Sequence, residues 1–344
     1  MTVHLTWKRA LAALVTLGLA GLLFAWSGLF QISASSGHWK ITDWFLHWTY
    51  STFQTPENVR DDNGLISAAG HFRQACQVCH GAPGAPPSPQ MQAATPPAPD
   101  LARTVQHYDD AELFWIVQHG VKYTGMPAWP SLDRPDEVRR MVGFLRRLPE
   151  MTPRQYRNLT QVPAEPTVSG FRPGVLESCA GCHGTDGLGR KQDDIPVLAG
   201  QKPAYLLQSL RDYASGKRGS GPMQVAAAPL SDAEMKALAD HFAAMPGLED
   251  IGLPEANPIL SAGLPGKQLP ACSRCHAPDK PAPLIAGQRV TYLADRLRNW
   301  RGEKTTIDAN KPQLPMPVIA RRIPEEEIEG LAKALSETGA QDGE

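Results

Sequence analysis

Cys76-Gln77-Val78-Cys79-His80, Cys179-Ala180-Gly181-Cys182-His183 and Cys272-Ser273-Arg274-Cys275-His276 repeat one pattern three times along 344 residues. In Cys-x-x-Cys-His the two thiols are spaced to form thioethers with the vinyl groups of one porphyrin, and the adjacent histidine can take its iron. All six cysteines fall inside these motifs, so none remains for a disulfide, a zinc site or a reactive thiol. A redox dithiol or half of a zinc site also uses Cys-x-x-Cys, but neither explains the histidine after every second cysteine. The pattern predicts three covalently bound haem c groups. They would be attached through Cys76 and Cys79, Cys179 and Cys182, and Cys272 and Cys275, with His80, His183 and His276 on the iron.

Composition fits that reading. Lys plus Arg number 34 and Asp plus Glu 35, a formal net charge of −1, so no basic field points to nucleic acid. With 32 Pro and 30 Gly the chain is rich in loop. Roughly 100 residues per motif suit three small domains, each with a modest apolar core that a covalent macrocycle would complete.

No charged residue lies between Arg9 and Lys40, and residues 10–32 are almost wholly apolar. As a helix this stretch is about 34 Å long, enough to cross a bilayer. Lys8 and Arg9 precede it, which puts the N-terminus in the cytoplasm and the remainder outside. The competing reading is a secretory signal cut after Ala34, but such apolar regions usually run about 7–15 residues. An anchor over 1–35 is therefore expected, single-pass in a bacterial inner membrane, with the haem domains in the periplasm. Ile41, Trp44, Phe45 and Trp48 then fall on one helical face, so 36–63 reads as an interfacial amphipathic segment.

The second and third motifs open a repeat. Pro196-Val197-Leu198-Ala199-Gly200-Gln201 and Tyr205-Leu206 correspond to Pro283-Leu284-Ile285-Ala286-Gly287-Gln288 and Tyr292-Leu293, and Pro222-Met223 to Pro315-Met316. First cysteine and methionine lie 44 residues apart in both lobes. Such repetition argues for duplication of one fold. The last helix of the second lobe carries a capping box at Ser231 and Glu234. The first lobe differs: 82–99 is Pro-rich and reads as irregular loop, Asp109 caps a helix, and 137–147 forms a terminal helix. Val138, Met141, Val142 and Leu145 line one face of that helix. The lobes are expected at 64–148, 174–248 and 249–344, with 149–173 as a linker.

A methionine sulfur opposite the histidine raises the potential of a haem and closes the iron to substrate. Met316 is the last methionine of the chain, and the prolines on both sides of it predict an extended loop. Met223 shares its register. Met126, in Thr124-Gly125-Met126-Pro127, is preferred to Met91, Met141 and Met151, with His107 and His119 in reserve. Met126, Met223 and Met316 are thus the expected sixth ligands.

At these residues the chain resembles class I cytochromes c, and residues 170–338 resemble the dihaem cytochrome c4 family through the paired Cys-x-x-Cys-His, Ala-Gly-Gln, Tyr-Leu and Pro-Met. The resemblance implies an all-α chain of three class I cytochrome c-like domains and a role between respiratory complexes or dehydrogenases and oxidases. The third lobe departs from the pattern. Ala277-Pro278 follows its motif histidine, and the prolines in Leu264-Pro265-Gly266-Lys267-Gln268-Leu269-Pro270 make a poor N-terminal helix.

The expected function is electron transfer between a redox-protein donor and acceptor, not catalysis. A cytochrome subunit of a periplasmic membrane-bound dehydrogenase is the narrower alternative. A haem enzyme, such as a peroxidase or a sulfur-compound oxidoreductase, would need an open iron, which three methionine candidates disfavour.

Overall fold

A computed structural model of the chain describes residues 6–27, 58–122, 124–162, 172–248, 253–255, 257–277, 279–301 and 315–337. Among them there is no strand, only the isolated bridges Ala82↔Ala85 and Leu264↔Leu269. The chain is all-α.

Helix Trp7–Trp26 carries the N-terminal apolar stretch, and Leu14, Leu17 and Leu22 on it stand free of the rest of the protein. Most of the proposed interfacial segment 36–63, its residues 36–57, lies outside the described residues. Its last part does not lie apart from the first lobe. Asp61 donates its amide to the Arg139 carbonyl at 3.1 Å, and Val59 packs on the first core.

That core gathers Phe72, Phe114, Phe144, Met141 and Leu148. Helix Asp110–His119 starts at the expected cap Asp109, which forms a capping box with Glu112 that satisfies the Glu112 amide and the Asp109 amide reciprocally. Helix Pro135–Arg147 buries Val138, Met141, Val142 and Leu145, the stripe read from periodicity. Residues 82–99 are irregular except for one turn, Pro89–Gln92, capped by Ser88.

The expected linker is not structureless. Its Pro153 occupies the first turn of helix Pro153–Thr160, where a proline has no hydrogen bond to lose, and Thr152 with Gln155 caps it. Tyr156 and Thr160 are buried, and Tyr156 donates its hydroxyl to Gln77 Oε1 at 2.7 Å. Arg190 of the second lobe donates to the Leu159 and Asn158 carbonyls, both at 2.7 Å. This helix fills the seam between the first two motifs.

The second core packs Pro203–Ala214 against Asp232–Ala243 around Leu206, Leu238 and Phe242, with the Ser231–Glu234 capping box in place. The third packs Val290–Arg301 against Pro315–Arg322 and Glu325–Glu337 around Leu260, Ile328 and Leu331. As its prolines foretold, the approach to the third motif is broken into single turns, Pro258–Ser261, Pro265–Lys267 and Ser273–His276.

The lobes are joined by buried polar contacts. Arg140 of the first lobe, 7% exposed, ion-pairs with Asp136 on its own helix, Asp61 before it, Asp194 of the second lobe and Asp295 of the third. Arg218 donates to the hydroxyls of Tyr205 and Tyr292, both at 3.0 Å, so the two repeated Tyr-Leu tyrosines share one guanidinium.

Candidate functional site

Each motif is a helical turn. In the second lobe it closes helix Val175–His183; in the first, helix Leu65–His71 runs through a π-turn, Phe72–Cys76, into Gln77–His80; in the third it is the turn Ser273–His276. Positions i, i+3 and i+4 share a helix face, so both sulfurs and the imidazole project from the same side. Gly81 (φ +72°) and Gly184 (φ +79°) end the first two turns in a conformation that L side chains avoid. Ala277, at φ −74°, leaves the third by an ordinary extended step, which is how that lobe dispenses with the glycine.

All three histidines make the same contact. His80 Nδ1 meets the Pro99 carbonyl at 2.9 Å, His183 Nδ1 the Pro196 carbonyl at 3.4 Å and His276 Nδ1 the Pro283 carbonyl at 2.8 Å. A carbonyl only accepts, so each contact requires Nδ1–H and leaves the Nε2 lone pair for a metal. Burial pushes the His183 imidazole down to about 4 and lowers His80 and His276 as well, which keeps the rings neutral.

Four of the thiols are not placed for thiolate chemistry. Burial pushes Cys76 and Cys179 up to about 12 and Cys182 and Cys272 up to about 11, opposite to the depressed values of redox dithiols and zinc ligands. Motif sulfurs on one face of a helical turn beside an Nε2-directed imidazole fit thioether-linked haem.

The methionines come from other segments. Met126 lies in an irregular loop, its amide donated to Thr124 Oγ1 at 3.1 Å. Met223 sits in the first turn of helix Gly221–Ala227, and Met316 in the first turn of Pro315–Arg322. Met316 is therefore helical rather than in an extended loop. Pro315 and Pro317 fall within the opening turn, whose amides have no intrahelical acceptor, so neither proline costs a bond. All three side chains are half-buried. Among the rivals, Met141 and Met235 are sealed in cores, whereas Met91 Sδ lies 3.5 Å from Cys79 Sγ. His107 and His119 are exposed.

The motifs differ in cover. Val78 of the first is 61% exposed and Cys275 of the third is exposed, but Ala180, Gly181 and His183 of the second are buried. The first lobe supplies part of that cover, with the Ile66 carbonyl 3.9 Å from Cys182 Sγ and Gly70 against the same sulfur.

Residues 65–145 match the family described as cytochrome C oxidase, cbb3-type, subunit III, and residues 175–245 match the family described as cytochrome c. The thiosulfate dehydrogenase electron acceptor of Stutzerimonas stutzeri (strain A1501) is 34% identical over 188 residues, covering 51% of this chain and 85% of its own. The chain belongs to the c-type cytochromes. A cytochrome c4 from Thiocapsa roseopersicina is 31% identical over 171 residues, 46% of this cytochrome and 85% of the relative. The cytochrome subunit of sulfide dehydrogenase from Chlorobaculum tepidum is 37% identical over 81 residues, 23% of this chain and 72% of its own. As a c-type cytochrome the protein binds haem c covalently and functions in electron transfer.

Motif reading missed Glu137, Trp129 and Arg140. Each sits where lobes meet; for Glu137 and Arg140 the signal was an excess of charge in the opening turns of an otherwise apolar-striped helix, and Trp129 lies in the irregular stretch before it.

Proposed function

We propose that this cytochrome is a membrane-tethered trihaem electron carrier. His80 with Met126, His183 with Met223 and His276 with Met316 would hold the three irons, and the six motif cysteines would form the thioethers. The observation that carries the reading is the imidazole contact repeated in every lobe, which leaves each Nε2 lone pair free to hold an iron. When bound, haem c supplies a one-electron iron couple whose potential a methionine sulfur raises. The chain fixes each imidazole's tautomer and holds the lobes rigidly together through buried polar contacts. Helix Trp7–Trp26 would anchor the protein in the inner membrane and concentrate its periplasmic lobes beside membrane partners.

The narrower reading is an acceptor or subunit for a dehydrogenase of inorganic sulfur compounds. It is favoured by relatives that are a thiosulfate dehydrogenase electron acceptor and the cytochrome subunit of a sulfide dehydrogenase. Intact mass of the mature protein tests the first reading, which expects three added haems and is overturned by fewer. Detergent extraction followed by identification of copurifying subunits tests the second. A dehydrogenase subunit that reduces this cytochrome supports it; reduction only by a quinol-oxidising complex counts against it.

A further inference from the structure

We propose that Glu137 of the first lobe is a positioning residue for Met223 of the second, so that sulfur ligation in the middle lobe is held from outside that lobe. The inference rests on Met223 being an axial ligand.

Glu137 is buried, 8% exposed, at the start of helix Pro135–Arg147. Its Oε1 accepts from Ser220 Oγ at 2.7 Å, and its Oε2 accepts from the Gly221 amide at 2.7 Å and from Trp129 Nε1 at 3.1 Å. Ser220 is the N-cap of helix Gly221–Ala227, and its Oγ accepts from the Met223 amide at 3.4 Å. The Met223 backbone is thus one hydroxyl away from a carboxylate of another lobe.

The grip is specific in shape as well as in charge. A side chain at Gly221 would run into the Trp129 indole, so the loop can approach the first lobe only with glycine there. Trp129 in turn packs on His71, ring centroids 4.5 Å apart. Behind the carboxylate, Arg134 pairs with Glu137 at 2.9 Å and donates to the Gly219 carbonyl at 3.2 Å. Gly219, Ser220 and Gly221, three consecutive residues ahead of the methionine, are therefore bonded across the lobe boundary, and the Met223 amide is one step from it. A desolvated carboxylate accepting three hydrogen bonds fixes geometry strongly, because its donors have no water to turn to.

The test uses the full-length, haem-loaded protein and reads the long-wavelength sulfur–iron absorption band together with the three midpoint potentials. Met223→Ala identifies the middle haem by loss of about a third of the band, one sulfur of three. Glu137→Ala should lower the midpoint of that same haem and weaken its band, leaving the other two in place. The expected shift is about tenfold in its reduced-to-oxidised ratio, about 59 mV for a one-electron couple. Glu137→Gln, whose amide oxygen still accepts, should restore part of the loss. If Glu137→Ala does not fold, Ser220→Ala carries the same expectation. A middle-haem band and midpoint unchanged in a folded variant, or all three midpoints moving equally, overturns the proposal while leaving the ligand assignment standing. A full band in Met223→Ala overturns both.

Discussion

Gln201 and Gln288 hold equivalent positions in successive lobes, and each bonds the backbone of the other's lobe. Gln201 donates Nε2 to the Leu284 carbonyl and accepts from the Leu284 amide, both at 2.9 Å. Gln288 donates Nε2 to the Val197 carbonyl at 2.7 Å and accepts from the Val197 amide at 3.1 Å. Val197 and Leu284 follow Pro196 and Pro283, whose carbonyls meet the motif imidazoles. The lobe boundary is therefore hydrogen-bonded one residue from both histidine contacts.

Gln201→Ala or Gln288→Ala would strand a buried amide and carbonyl on the facing lobe. Each should cost about 1–3 kcal/mol per group left unpaired. The double variant should lose less than the sum, because the first substitution already loosens the seam. Denaturant unfolding of the haem-loaded protein measures both. Additive losses would mean the two bridges act independently.

Arg140→Met keeps the aliphatic stem and removes the cation from among Asp61, Asp136, Asp194 and Asp295. Breaking a buried pair on one side costs about 3–5 kcal/mol, so the variant should be destabilised by that order at neutral pH. In the wild type, burial pushes the Asp136 carboxyl up, but the Arg134 hydrogen bond and the charges of Arg134 and Arg140 outweigh it and hold it at about 2. A depressed carboxylate stabilises the fold above its unfolded value, 3.8, and that share is lost as pH falls through about 2. Asp295 runs the other way, raised by burial that Arg140 offsets only in part, so its share is present at low pH and lost as pH rises. Without Arg140, Asp136 and Asp295 bind protons more readily. The stability gap between variant and wild type should therefore narrow as pH drops from about 7 towards about 4; a constant gap would show that the cluster contributes shape rather than charge.

Met126→Ala should remove about a third of the sulfur–iron band and lower one midpoint, since losing the sulfur lowers the potential. Met91→Ala should leave both unchanged, although its sulfur lies 3.5 Å from Cys79 Sγ. The reverse outcome would move the first lobe's ligand to Met91.

Helix Trp7–Trp26 carries an apolar stretch, Trp7–Phe24, none of it buried. If it is retained as an anchor, the mature protein should need detergent for extraction and should begin within the first few residues. Removing residues 1–26 should release it to the soluble fraction. A native N-terminus near residue 35 would identify the helix as a cleaved signal.

Local chemistry was legible in the sequence, and long-range geometry was not. The motif turns, the Asp109 cap, the Ser231 capping box and the Val138–Met141–Val142–Leu145 stripe depend on neighbours within a few residues. Prolines misled twice for one reason. At Pro153 and Pro315 they occupy opening helical turns, where the missing amide is harmless. The Ala-Gly-Gln repeat was visible, but that its glutamines reach across to each other depends on how two lobes dock. Arg140 reads as a solvated charge on an amphipathic helix until carboxylates from three directions close around it.

The first lobe lies over the second motif, with the Ile66 carbonyl 3.9 Å from Cys182 Sγ and Gly70 beside the same atom. Thioether formation needs that sulfur within reach of the maturation machinery. If Cys182 carries a thioether as proposed, that bond would have to form before helix Leu65–His71 settles over the sulfur, and biogenesis of this chain would be sequential: attachment at Cys182 first, docking of the N-terminal lobe afterwards.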